Sequence, residues 1–180
     1  MVTLAFRNIG RQAAVFHVCD KRHLDQIPRR YTVGAGKQLG GEWLISEADE
    51  GHYDLWVLGP NGFHRAFVGS ISADRSFASP EIRVSYDVAG NRVIALLENT
   101  GGAPCEFSAK ANAYSSPAPA TATVAPGEQA SMEWAVSEYG NWYDLTVDVP
   151  ALAGFQRRFA GRLENGHDLI SDPAMGVPRT

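Results

Sequence analysis

Five histidines, two cysteines and one run of basic residues are the groups in this 180-residue sequence best suited to chemistry. The histidines, His17, His23, His52, His64 and His167, are scattered over both halves, and strand alternation lets only His17 and His64 share a face. Two imidazoles fall short of the three or four supported ligands that zinc requires, so the pair reads first as strand histidines on a partly covered surface. Cys19 and Cys105 are too few for a disulfide framework and read as unpaired thiols on strands. Among the carboxylates Asp20, Asp25, Asp54 and Asp144, the last two recur in the tripeptide Tyr-Asp-Leu, which favours a structural role over catalysis. No G-x-S-x-G elbow, phosphate-binding loop, H-E-x-x-H or paired C-x-x-C is present. The sequence therefore assigns no catalytic residue, no metal ligand and no cofactor.

The basic run is Asp20-Lys21-Arg22-His23-Leu24-Asp25-Gln26-Ile27-Pro28-Arg29-Arg30-Tyr31. Lys21, Arg22, His23, Arg29 and Arg30 on one connection could hold a phosphate or a row of anionic headgroups. The two aspartates dilute that field, and the same residues suit a salt-bridged loop packed against a neighbouring domain.

A net charge of -4 and a pI near 5.7 give no global attraction to nucleic acid or to an anionic membrane. No nucleic-acid signature and no apolar run of membrane-spanning length is found. The sequence begins at once on a strand-like stretch, Val2 to Phe6, without a signal-peptide pattern, so it is expected to be either cytosolic or trimmed at its front.

The elements that position these residues follow from a repeat. Laid on itself, the sequence matches at an offset that stays within one residue of 91. Asn8-Ile9-Gly10 falls on Asn99-Thr100-Gly101, Phe16 on Phe107, Gly36 on Gly127 and Trp43 on Trp134. Tyr53-Asp54-Leu55 falls on Tyr143-Asp144-Leu145, and Phe63, Phe67 and Gly69 fall on Phe155, Phe159 and Gly161. Each copy alternates apolar and polar residues and is punctuated every eight to twelve positions by Asn, Gly or Pro, the pattern of a β-sandwich. In the second copy strands are expected near 81–87, 91–98, 104–113, 119–124, 128–136, 142–149 and 154–163. Alternation turns Leu145, Val147, Met132, Trp134, Phe155 and Phe159 toward its core and Asp144, Thr146 and Asp148 outward. The fold class is all-β: two tandem immunoglobulin- or fibronectin-like antiparallel β-sandwich domains, over 1–78 and 79–180. The first is expected to lack its first strand, leaving an edge to be covered by another chain, a neighbouring loop or a further segment. The copies meet at Ser72 to Pro80, a short linker that implies domains in contact or nearly so.

Differences between the copies separate what serves the fold from what serves one copy alone. Outward positions of three strands in copy two are Glu106, Ser108, Lys110, Thr146, Asp148, Gln156, Arg158 and Arg162, read as a solvated surface. Their counterparts in copy one are Val15, His17, Cys19, Trp56, Leu58, His64, Ala66 and Ser70, with Val68 beside them. If the three strands form one sheet, copy one carries a contiguous apolar patch, the mark of a docking face unless a loop or the second domain covers it.

Four runs carry a resemblance: Ala14 to Val18, His23 to Val33, Tyr53 to Arg65, and Gly154 to Arg162 followed by Ser171-Asp172-Pro173-Ala174. They resemble the paired carboxy-terminal domains of bacterial phosphocholine-specific, non-hemolytic phospholipases C, over nearly the whole chain. That resemblance implies an exported parent, secreted or periplasmic, with an amino-terminal phosphoesterase domain that carries the catalytic residues. The parent would cleave phosphatidylcholine or sphingomyelin to release phosphocholine. The expected role is that of a non-catalytic accessory region, whose partners are that catalytic domain and a phospholipid surface. The rivals are a stand-alone carbohydrate- or protein-binding module and a structural stalk.

Overall fold

The computed structural model describes residues 1–71, 76–114, 118–168 and 170–174, so the first four positions of the expected linker at Ser72 to Pro80 lie outside the described residues. The strands are β1 (Val2–Arg7), β2 (Ala14–Asp20), β3 (Arg29–Val33), β4 (Gln38–Trp43), β5 (His52–Leu58) and β6 (His64–Ser70), then β7 (Pro80–Asp87), β8 (Arg92–Asn99) and β9 (Cys105–Ala113). They continue with β10 (Ala120–Val124), β11 (Gln129–Ala135), β12 (Trp142–Asp148) and β13 (Gln156–Arg162). All seven strands expected over 81–163 are present. Two single 3-10 turns, Glu47–Asp49 and Ser137–Tyr139, were not foreseen, being too short to carry a period.

Every strand pair is antiparallel, as the expected sandwich requires. Alternation sets the faces. In β5, Leu55 and Val57 are buried while Trp56 and Leu58 lie on the other side; in β12, Leu145 and Val147 are buried opposite Asp144 and Thr146. The β5–β6 hairpin closes on Asn61 and Gly62, both at positive φ (53° and 73°), the backbone that a tight primed turn demands.

Two cores result. β1 and β4 pack Leu4, Phe6 and Trp43 against Phe16, Val18, Val33, Leu55 and Val57. β7, β8 and β11 pack Ile82, Val93, Leu97, Met132 and Trp134 against Phe107, Leu145, Val147 and Phe159, with Phe155 at the margin. Each core buries several large side chains at roughly 1.5–3 kcal/mol apiece.

The two cores share one sheet. The strand order β10-β9-β12-β13-β6-β5-β2-β3 runs without a break, because β13 pairs with β6. Ala66 faces Arg158 at the centre of that pairing, and the flanking pairs are mirror positions of the repeat, a pseudo-twofold seam. Two inward arginines lock it. Arg65 reaches from β6 to the Ala160 carbonyl (2.9 Å) and the Tyr143 hydroxyl (3.1 Å). Arg157, its counterpart, reaches from β13 to the Val68 carbonyl (2.7 Å) and the Tyr53 hydroxyl (2.8 Å). Both arginines are buried, at 8% and 5% exposure, so their charge is held by hydrogen bonds and by flanking rings: Phe63 and Phe159 for Arg65, Phe155 and Phe67 for Arg157.

Candidate docking face on the shared sheet

The face of the eight-stranded sheet turned away from both cores is the candidate site, because the three strands expected to form one sheet do so. One cross-strand row runs Cys19, Trp56, Ala66, Arg158, Thr146, Lys110. The next runs Arg30, His17, Leu58, His64, Ala160, Asp144. In both rows the residues on β2, β5 and β6 are mainly apolar or aromatic, whereas most of those on β9, β12 and β13 are charged or polar. The change falls on the β6–β13 seam.

The polar half is internally satisfied. Asp144 accepts from Arg158 Nε (2.8 Å) and Asn112 Nδ2 (2.8 Å), and Asn112 also donates to the Thr146 hydroxyl (2.8 Å). Asp144 and Thr146 point outward as alternation requires, yet they are buried, at 7% and 4% exposure, not solvated. Their long neighbours lie across them, and alternation says nothing of that cover.

The apolar half has less cover, Lys21 alone lying over the Trp56 ring among the described residues. Val15 and Leu58 are exposed, and His17, Cys19, Trp56, His64 and Val68 are half-buried. The His64 ring meets Trp56 edge-on, centroids 5.6 Å apart, and burial pushes its imidazole below the ordinary pKa, with nearby Arg158 acting in the same direction. His17 and His64 share the face but stand on β2 and β6 with Leu58 on β5 between them. Cys19 and Cys105 are both free; Cys105 sits in the second core, where burial pushes its thiol up to about 11. At the edge of the patch, Asp54 lacks the arginine that its counterpart Asp144 enjoys, since Ala66 stands in Arg158's place. Its Oδ2 lies 3.5 Å from Lys21, and its Oδ1 is buried without a hydrogen-bond partner among the described residues.

The five basic residues do not converge. Arg22 and His23 both turn inward to Asp49, at 2.9 and 3.0 Å, and Ser46 also donates to that carboxylate (2.6 Å). These bonds hold the Asp49 carboxyl well below the usual range and push the His23 imidazole up, chiefly through its own bond to Asp49. Lys21 lies over the Trp56 ring, 4.3 Å from its centroid, and Arg29 lies over Trp43 at 4.6 Å. Arg30 also stands on the outer face, exposed at the rim of the apolar patch beside His17. Asp49, Arg65 and Arg157 were not singled out by sequence, although the two arginines occupy matching inward positions of the repeat, a signal that was legible; Asp54 was, as a structural carboxylate.

The sequence matches the family described as bacterial phospholipase C, C-terminal domain, over residues 1–70 and again over 80–162. The chain belongs to that family. Over 98% of its length it is 37% identical to the non-hemolytic phospholipase C of Pseudomonas aeruginosa, and over 97% it is 40% identical to the non-hemolytic phospholipase C of Burkholderia pseudomallei. It is 34% identical to the hemolytic phospholipase C of Pseudomonas aeruginosa over 95% of its length. The chain spans 26%, 25% and 25% of these three proteins.

Proposed function

We propose that this chain is the non-catalytic accessory region of an exported bacterial phospholipase C. Its two halves, 1–78 and 79–180, are two copies of one sandwich plan, and the outer face of the first packs on the catalytic region of the same protein. In that arrangement the pair helps hold the catalytic region at a phospholipid surface, where the whole enzyme releases phosphocholine from phosphatidylcholine or sphingomyelin.

The observation that carries this reading is the asymmetry of one continuous sheet. At matched positions the β9–β12–β13 half covers itself with Arg158, Asp144 and Asn112, whereas the β2–β5–β6 half leaves Leu58 and Val15 exposed and Trp56 half-buried beneath the single side chain of Lys21. Scattered single apolar residues need no explanation, but a contiguous group confined to one half does. The five basic residues are not used as a headgroup cluster here, since four of them are engaged within copy one; Arg30 is available at the rim.

The test is binding of the 180-residue chain to a separately produced catalytic region of a relative such as the Pseudomonas aeruginosa non-hemolytic enzyme. Trp56→Ala or Leu58→Asp should weaken binding by about 2 kcal/mol, the cost of losing a central anchor, while Lys110→Ala on the polar half should leave it unchanged. No binding by the unaltered chain, or equal loss from both halves, would reject the reading. For the surface role, removing this region should reduce turnover on phosphatidylcholine vesicles and spare turnover on a soluble phosphodiester; equal loss on both would favour a stalk.

A further inference from the structure

β1 has β4 on one edge and, among the described residues, no strand on the other. Its counterpart β8 lies between β11 and β7. At the offset of the repeat, Val2, Leu4 and Phe6 correspond to Val93, Ala95 and Leu97, which face Tyr86, Val84 and Ile82 on β7. The side chain at the end of β7 does more than pack. The Tyr86 hydroxyl accepts from Arg65 and lies 2.8 Å from the Tyr143 hydroxyl, so it closes the cage around one of the two arginines of the seam.

The other arginine lacks that closure. Arg157 repeats the bonds of Arg65 one for one: its own strand's carbonyl, Gln156 (3.0 Å), the facing strand's carbonyl, Val68 (2.7 Å), and the facing copy's tyrosine, Tyr53 (2.8 Å). Among the described residues, none plays the part of Tyr86. Among the described residues Arg157 Nη2 bonds Tyr53 alone, where Nη2 of Arg65 bonds both Tyr143 and Tyr86; Arg157 Nε is also buried without a partner there, and Tyr53 is half-buried where Tyr143 is buried at 3% exposure. A buried guanidinium nitrogen without an acceptor is destabilising, and a bare strand edge is a template for pairing.

We infer that the free edge of β1 is an acceptor for an antiparallel strand of β7's chemistry, donated by the polypeptide ahead of residue 1 in a longer protein of this family. The incoming strand places apolar side chains beside Phe6 and Leu4, and opposite Val2 a hydroxyl-bearing side chain whose oxygen meets Tyr53 and Arg157. The choice of a strand from the same polypeptide rests on two points. β7 is itself supplied from directly ahead of β8, and the relatives are about four times the length spanned by this chain.

The probe is this protein's own β7 hairpin. A copy of residues Pro80–Asn91 is placed directly ahead of Met1, which stands where Arg92 follows in the second copy. Hydrogen exchange of the segment Val2–Arg7 should slow at least about tenfold relative to the unextended chain. A scrambled copy should have no effect, and replacing the appended tyrosine by Phe, or Arg157→Met in the extended chain, should return part of the protection. In a second arm, the matching region of the Pseudomonas aeruginosa non-hemolytic enzyme is extended by roughly a dozen of its own preceding residues, a strand with its turn. That extension should protect its β1 equivalent as fully as the whole enzyme does. Unchanged exchange with either extension would overturn the proposal, as would sedimentation showing that the unextended chain pairs edge to edge with a second copy. An appended hairpin that protects β1 equally well with Phe in place of the tyrosine would overturn the assignment of the hydroxyl.

Discussion

Asn99 is wholly buried and serves four backbone groups at once: it donates to the carbonyls of Ala103 (2.8 Å) and Val124 (3.1 Å) and accepts from the amides of Gly101 (3.1 Å) and Ser79 (3.1 Å). Asn8 makes three of the same bonds, to Gln12, Val33 and Gly10, at a site half open to water. Removing a side chain that leaves buried donors and acceptors unmade costs about 1–3 kcal/mol per group, and water replaces the lost bonds where it can reach. Asn99→Ala should therefore lower stability by about 3 kcal/mol or more and Asn8→Ala by about 1 kcal/mol, measured by urea unfolding. Two histidines titrate with opposite consequences. For His23, whose folded pKa is raised, the stabilisation is complete below the ordinary imidazole value and is lost as the pH climbs through the raised one. For His64, whose folded pKa is lowered, it is complete above the ordinary value and is lost as the pH falls through the lowered one. Between about pH 5 and 8, His23→Gln should leave a stability that rises with pH, and His64→Gln one that falls. Thermal unfolding across that range checks both signs. At this scale the sequence was partly legible: the repeated asparagines and tyrosines stood out, but the partners of Lys21, Arg22, His23 and Arg29 did not. Asp49, which gathers two of them, lies far along the chain in a turn too short to be read.

Strands were the most legible elements. Alternation and Asn, Gly or Pro punctuation are local signals, and they placed all seven strands of residues 81–163. The β6–β13 pairing was not local. It depends on Arg65 and Arg157, charged residues at inward positions that alternation alone reserves for apolar side chains, made tolerable by carbonyls and tyrosines of the opposite copy. Gly69 shows how closely that lock is fitted: a Cβ there would lie 2.6 Å from the Tyr53 hydroxyl, which must stay in place to accept from Arg157. Gly69→Ala should displace Tyr53 and cost about 1–3 kcal/mol by overpacking. If Tyr53→Phe is introduced first, the added penalty of Gly69→Ala should shrink, since the clashing oxygen is gone. Equal penalties in both backgrounds, by denaturant unfolding, would break the link between the glycine and the seam.

At the scale of the whole molecule, joining two sandwiches by a common sheet fixes their relative orientation without a long linker and presents one outer face with two characters. Each half can be compared with the other as its own control: the same strands, the same register, a self-covered polar side and a less covered apolar side. The patch was legible from the sequence because the repeat supplied aligned positions to compare. The burial of Asp144 and Thr146 beneath neighbouring side chains was not, since it depends on how Arg158 and Asn112 lie across the face. Cys19, half-buried on β2 at one side of the patch beside Trp56, is a natural reporter of whether that face is covered, and Cys105, buried in the second core, is an internal silent control. The decisive measurement is the alkylation rate of Cys19 in the 180-residue chain, alone and with the catalytic region of a phospholipase C relative added. A docked copy-one face predicts that Cys19 reacts in the free chain and is strongly protected in the complex, with Cys105 unreactive in both; an unchanged Cys19 rate at saturating catalytic region would contradict it.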